Sequence, residues 1–595
     1  MAAPLEIGGI EIPWTNTFPP EDETFMAPYV KQKRQTQTLQ KGWQKTKEHR
    51  PLPCDIIFDE NVEIFLRDGI KIYCDIIRPV TKEEVPALLA VSPYGKGGHG
   101  FLIFESSPFR IGVPISTTSG LEKFESLDPA EWASRGYAMV NVDIRGSWES
   151  EGNVYIEGSQ PGVDVSDMVE HIAKLDWCNG SLGMQGNSWL AASQWSAAVQ
   201  CPPSLKAIAP WEGFTDKYRD VVCRGGIPKT DFANFVFDKT IRGRQKREDI
   251  GEALRRHPLM NAYWEDKRLD VSKINIPVYA VASYSSGIHG FGTVRGFNEA
   301  GTSSKWLRFH ATQEWYDLYL RKNNDDLQKF FDRYLKGIQN GWEETTPVRV
   351  SVLTYGNRFE KQPIENIPFD QYPPKETQYR TVYLSPSATM EDSPAREVST
   401  ASYQSDELSA KAAEFIYTFK ENTTLIGYAK AKLWLSCNDT DDMDVHLSLR
   451  KVDKDGKVRE HNNVPWVSLP AGVDNQEDIP QTNVVKHLGP TGVLRISHRA
   501  QDPTLSTPVI PFHPHDKEEK VPPGTIVSAE IGFWPMGITF EKGEGLMLRI
   551  QGFLDQCNEF AEHIHGKPKN LNRGEHIVHI GGDHESSLIL PVVPI

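Results

Sequence analysis

The chain has 595 residues, 80 acidic against 65 basic, and a formal net charge of -15; this excludes nucleic acid or an anionic membrane as the main partner, since either needs a basic surface. A hydrophobic fraction of 39% with 24% charged residues is that of a soluble globular protein, and the length predicts roughly two to four domains. No apolar run approaches the ~20 residues of a membrane span, Met1 to Ile7 lacks the features of a signal peptide, and the seven cysteines are scattered without C-x-x-C spacing, so a cytoplasmic protein with reduced thiols is expected.

Residues 1–55, rich in Pro, Thr, Lys and Gln, read as an arm draped over the body, with a lid or a homo-oligomer contact as the alternative. Val62 to Leu66 and Ile70 to Ile76 alternate around Asp68-Gly69, a hairpin signal. Ala87 to Val91 is a buried strand ending in Ser92-Pro93-Tyr94-Gly95, and Asp128-Pro129 caps a helix that Gly136 ends. Strands at Tyr137 to Val142, Leu182 to Gln185 and Leu205 to Ala209 then alternate with helices at Asp164 to Leu175 and Trp189 to Gln200. That order predicts an α/β domain with a parallel sheet covered on both faces.

The stretch 215–274 breaks the alternation, looks helical and polar, and would sit above the carboxyl ends of the strands, where ligands bind in open α/β sheets. The sheet resumes at Val278 to Ser283 and Trp306 to His310. A closing helix places Leu327, Phe330, Phe331, Tyr334 and Leu335 on one face before Gly337. The α/β domain is therefore assigned to 56–214 and 275–346. From 347 to 595 short strands, beginning with Val348 to Leu353, alternate with turn-rich loops and predict an all-β sandwich.

Between a strand and a helix stands Gly186-Asn187-Ser188-Trp189. A serine hydroxyl must be exposed, oriented and relieved of its proton to act as a nucleophile; a strand–turn–helix elbow achieves the first two and turns the next backbone N–H toward a developing oxyanion. The second glycine of G-x-S-x-G is absent, since Leu190 and Ala191 follow. Around the elbow an ordered series of motifs reads Arg67-Asp68-Gly69, Ser92-Pro93-Tyr94-Gly95, Asp143-Ile144-Arg145-Gly146, Glu149-Ser150-Glu151-Gly152, Asp164-Val165-Ser166-Asp167 and Asp176-Trp177-Cys178-Asn179-Gly180. Pro203 to Pro210, Asn572-Arg573-Gly574 and Ser587 to Pro591 complete it.

This series resembles the cocaine esterase, α-amino-acid ester hydrolase and X-Pro dipeptidyl-peptidase family over residues 60–595. The resemblance implies an α/β-hydrolase fold with an inserted helical cap and a C-terminal all-β jelly-roll domain. It also implies ester or amide hydrolysis through an acyl-enzyme, with Ser188 as nucleophile and Tyr94 plus the N–H of Trp189 as oxyanion hole. The family's acid stands in a stretch resembling V-G-G-W-Y-D, and here Val281 to Ser286 puts Ser286 at its place. The family's histidine, in a stretch resembling G-P-W-x-H, falls on Gln313 or Glu314, with His310 slightly earlier.

Three readings follow. His310 or His289 reaches Ser188 with Glu314 or a backbone carbonyl orienting the ring, and acyl chemistry survives; or the pocket performs cyclisation, elimination, retro-aldol or C–C cleavage, with a histidine or Glu314 as acid/base and Tyr94 holding an enolate; or the chain is a binding relative without turnover. Trp189, Trp211 and Tyr284 are candidate pocket walls, with His289 beside them and Trp211-Glu212-Gly213 near the mouth. His563, His565, His576, His579 and His584 read as loop or sheet-surface residues, because positions three apart on a strand face opposite ways. The expected partner is a small-molecule substrate, with no cofactor and no metal.

Overall fold

The computed structural model describes residues 4–21, 29, 31–97, 104–554 and 570–595. An eleven-stranded sheet organises the first part of the chain. Its strands are β1 (Gln35–Leu39), β2 (Ile56–Phe65), β3 (Lys71–Pro79), β4 (Val85–Ser92), β5 (Ala138–Asp143), β6 (Cys178–Asn187), β7 (Leu205–Trp211), β8 (Val278–Ser283), β9 (Lys305–His310), β10 (Val348–Val352) and β11 (Ile364–Phe369). The order across the sheet is β11-β10-β9-β8-β7-β6-β4-β5-β3-β2-β1. From β5 through β4, β6, β7, β8 and β9 to β10 every pairing is parallel. Strands β4 and β8 are wholly buried, as expected of strands covered on both faces.

The covering helices are α1 (Pro129–Ser134), α2 (Ser159–Ile172), α3 (Trp189–Ala198), α7 (Gly290–Glu299), α8 (Glu314–Tyr319) and α9 (Arg321–Leu335). Asp128 caps α1 by accepting from the Ala130 N–H. In α9 the stripe Leu327, Phe330, Phe331 and Leu335 is buried against Trp132, Tyr137 and Met139. Between β7 and β8 the insertion carries α4 (Asp231–Thr240), α5 (Ile250–Arg256) and α6 (Ala262–Asp266).

Two boundaries differ from the sequence reading. The strand at Val348, expected to open the sandwich, is β10 and pairs parallel with β9, and β11 adds antiparallel beyond it. The α/β sheet therefore continues past 347. The arm is also more than a drape. Gln35–Leu39 pairs antiparallel with β2, and Trp14–Asn16 pairs with Lys246–Glu248 of the insertion, so it ties the sheet edge to the cap.

Beyond β11 the chain is all-β, with a nine-stranded and a four-stranded sheet among the described residues. A single apolar core runs from the α/β sheet into these strands, joining Phe309 and Val350 to Leu425 and Ile538. No described helix is long and apolar enough to cross a membrane. The described cysteines are all free thiols.

Candidate active site

Tyr94 follows β4, Ser188 follows β6, Glu212 follows β7, Ser285, Ser286 and His289 follow β8, and Glu314 opens α8 after β9. All of these stand at carboxyl ends of parallel strands, where a doubly wound sheet leaves a crevice. The cap closes it from above with Phe214, Lys217, Val221, Val236 and Phe237, and the all-β part contributes Asn483 and Val484. The enclosed cavity is about 70 Å³, room for roughly five waters when one needs 10–15 Å³.

Ser188 has φ 58° and ψ -119°, a region that costs about 1–3 kcal/mol for a side-chain-bearing residue and persists only where its surroundings enforce it. They do so here. Its N–H donates to the Glu212 carbonyl at 2.8 Å, and the neighbouring Asn187 N–H donates to the Glu125 carbonyl at 3.0 Å. Gly186 has φ 112°, and a Cβ there would lie 2.8 Å from the Glu125 carbonyl oxygen and 2.5 Å from Leu190, so the turn requires glycine. The Ser188 side chain makes no cap bond to α3, which leaves its oxygen to the pocket.

Tyr94 lines the same pocket as Ser188, and burial with the nearby Glu125 carboxyl holds its pKa well above the usual phenol range. It therefore stays protonated and can donate. Trp189 is the first residue of α3, where backbone N–H groups have no partner within the helix. Tyr94, Ser188 and Trp189 all line one pocket.

The two candidate histidines are placed differently. His289 lines the cavity, and its Nδ1 is 2.8 Å from Glu314 Oε2; its ring stacks on Phe214 at 6.2 Å. His310 does not line it. The Nε2 of His310 is 2.7 Å from Glu212 Oε1, and its Nδ1 is 3.1 Å from Thr312 Oγ1. As the last residue of β9 it points into the layer behind the pocket. Ser286 lines the pocket, as its place after β8 requires.

Two expected wall residues are elsewhere. Trp211 packs edge-on against Tyr279 at 5.8 Å with Arg308 over its ring. Tyr284 stacks on Phe309 and donates to the Ser351 carbonyl at 2.9 Å, facing the all-β part. Of the histidine-rich segments, His563 and His565 lie outside the described residues. The buried His576 meets the Tyr403 hydroxyl at 3.0 Å, and His579 meets Ser436 at 2.8 Å.

Sequence reasoning missed three charged lining groups, Glu125, Glu157 and Lys217, and placed Glu212 near the mouth without giving it a role. Glu125 is buried, its Oε1 accepts from Trp315 Nε1 at 3.1 Å, and burial with the Glu314 charge raises its pKa well above the carboxylate range. Glu157 and Lys217 form a buried pair at 3.1 Å in the cavity wall, burial raising the carboxyl and lowering the ammonium. Glu212 is wholly buried. Its carboxylate, the His289 ring and the Glu314 carboxylate each offer a ligand atom within 4.8 Å of the others, a donor set that a divalent cation could also take. A strand-end position was the one available signal for Glu212.

Residues 68–241 match the model of the X-Pro dipeptidyl-peptidase S15 family, and residues 340–589 match that of the X-Pro dipeptidyl-peptidase C-terminal non-catalytic domain. A solved CocE/NonD family hydrolase from Staphylococcus aureus is 30% identical, covers 91% of this chain and 94% of its own, and superposes with a TM-score of 0.81. The chain belongs to the CocE/NonD hydrolase family. An α-amino acid ester hydrolase shares the fold at 15% identity and a TM-score of 0.64, over 90% of this chain and 96% of that one. Cocaine esterase from a Rhodococcus species is 35% identical over 159 residues, 27% of this chain. That match spans only 24% of the Rhodococcus enzyme, about a quarter of its length. In this CocE/NonD member the loop after β8 supplies a histidine and the loop after β9 a carboxylate.

Proposed function

We propose that the protein is a serine hydrolase that cleaves esters or amides of short, largely apolar acyl groups through an acyl-enzyme on Ser188, with His289 as base and Glu314 as the acid that orients it. The observation that carries the reading is that Ser188, Tyr94, His289 and Glu314 line one small cavity with His289 already bonded to Glu314.

His289 takes the proton of Ser188 as Oγ attacks the substrate carbonyl carbon. The Tyr94 O–H and the Trp189 N–H hold the resulting oxyanion, a contribution typically worth 10²–10³-fold per donor. Collapse of the tetrahedral intermediate breaks the bond to the leaving group, which receives the proton from His289. Water then attacks the acyl carbon with His289 again as base, and Ser188 regains its proton. Phe214, Val236, Phe237, Ile288 and Val484 give the cavity its apolar walls, and its size favours acetyl- to butyryl-sized acyl groups. The buried Glu157–Lys217 pair offers a polar end wall for a heteroatom of the substrate.

A fluorophosphonate probe tests this directly. Wild type should be labelled at Ser188, and His289→Ala should slow labelling and short-chain ester turnover by 10³-fold or more. Absence of labelling, or full turnover of the true substrate by Ser188→Ala, would sink the acyl-enzyme reading.

A further inference from the structure

Glu212 has no part in the proton transfers just described, yet its backbone and its side chain are both held by hydrogen bonds. It follows β7 with φ 56°. Its carbonyl accepts the Ser188 N–H at 2.8 Å while its own N–H donates to the Val281 carbonyl at 2.7 Å. The backbone of Glu212 thus joins the elbow to β8, and its side chain points into the space shared by His289 and Glu314.

Behind it runs a row of charges. His310 Nε2 meets Glu212 at 2.7 Å, and His310 Nδ1 lies 3.5 Å from Asp317. Arg308 grips Asp317 with both terminal nitrogens, one at 3.0 Å. Burial alone would raise the Asp317 carboxyl, but Arg308 and His310 hold it below its usual range. The His310 imidazole thus lies between two carboxyl groups, Glu212 at Nε2 and Asp317 beyond Nδ1. Burial raises the Glu212 pKa and the His310 hydrogen bond opposes that rise. From Arg308 through Asp317, His310 and Glu212 the contacts form one row, and the next position is His289.

We infer that Glu212 is a second carboxylate partner of His289, a positioning residue that shares with Glu314 the stabilisation of the imidazolium formed during catalysis, and that His310 serves to hold Glu212 in that role. The inference rests on the acyl-enzyme reading. The other titratable groups of the cavity leave this role to the two glutamates, since burial keeps Tyr94 and Glu125 neutral and Glu157 is paired with Lys217.

The test combines the pH dependence of kcat/KM with a histidine-ring NMR titration of the full-length protein. Glu212→Gln should lower the His289 pKa by about one unit, move the acid limb of kcat/KM with it, and reduce kcat/KM about 10-fold. Glu314→Gln should retain ~1–10% of wild-type kcat/KM, and Glu212→Gln with Glu314→Gln should fall to the level of His289→Ala. His310→Gln, which leaves the strand-end glutamate intact, should reproduce the pKa shift and keeps the test alive if Glu212→Gln does not fold. An unmoved His289 titration in both single variants, or a double variant no worse than Glu314→Gln, overturns the inference. Wild type without Ser188 labelling defeats the acyl-enzyme reading instead, and the NMR titration still reads the Glu212–His289 coupling by itself.

Discussion

Replacing Tyr94 by phenylalanine removes one hydroxyl from the pocket and little else. The Tyr94 ring packs edge-on against Phe124 at 5.6 Å and Trp189 at 6.3 Å, and a phenylalanine ring keeps both contacts. Loss of one oxyanion-hole donor costs about 2.7–4 kcal/mol in the transition state. That loss predicts a fall in kcat of about 100- to 1,000-fold with KM little changed, at 1.36 kcal/mol per decade. Steady-state kinetics on a short-chain ester, with labelling rates of Ser188 as a second measure, read the effect, and a thermal melt within a few degrees of wild type confirms the fold. A Tyr94→Phe enzyme within three-fold of wild type in both assays would refute the claim that this hydroxyl faces the oxyanion.

Gly186→Ala should destabilise the protein by about 1–3 kcal/mol and abolish labelling, because a Cβ at φ 112° meets the Glu125 carbonyl at 2.8 Å; a variant with wild-type denaturation and labelling contradicts the elbow geometry. Micromolar zinc should protect Ser188 from the probe by engaging Glu212, His289 and Glu314, whereas EDTA should leave turnover unchanged; loss with EDTA and recovery with a divalent cation would make the site metal-dependent. Burial holds His461 near a pKa of about 4 and His487 near about 3, against 6.5 in the unfolded chain. Below pH 6.5 the unfolded state therefore binds protons that the fold does not. Stability should be full above about pH 6.5 and fall toward pH 4, at up to about 1.4 kcal/mol per unit for each group. Urea denaturation at pH 7 and pH 5 measures it, and His487→Gln should lose less on acidification than wild type; equal losses would contradict the assignment.

The elements that local pattern can specify were legible. The Asp68-Gly69 hairpin, the Asp128 cap, the α9 stripe and the elbow before α3 each depend on residues close in sequence, and each forms where the pattern placed it. The strand at Val348 was equally visible, but its partner was not. An apolar run of this length reads the same whether it pairs with β9 or with a sandwich strand, since periodicity carries no information about the neighbour. For the same reason His310 stood beside His289 as a candidate base. It ends a strand at the mouth of the sheet, but which face its ring takes, and that Glu212 waits there, depends on register between β7, β8 and β9.

The loops after β8 and β9 show how far family resemblance carries a reading residue by residue. Where the family has an aspartate after β8 and a histidine after β9, this chain has Ser286 and then, at the start of α7, His289 after the first strand, with Glu314 after the second. A dyad needs an imidazole nitrogen toward the nucleophile and a carboxylate toward the other nitrogen; it does not need either group to come from a given loop. Because β8 and β9 are adjacent and parallel, their two loops open over the same crevice, and exchanging the residues between them can preserve the pair while erasing both motifs. The stacking of His289 on Phe214 and its bond to Glu314 are what such an exchange requires, a ring held in place by groups that a search for the family's own acid and base would pass over.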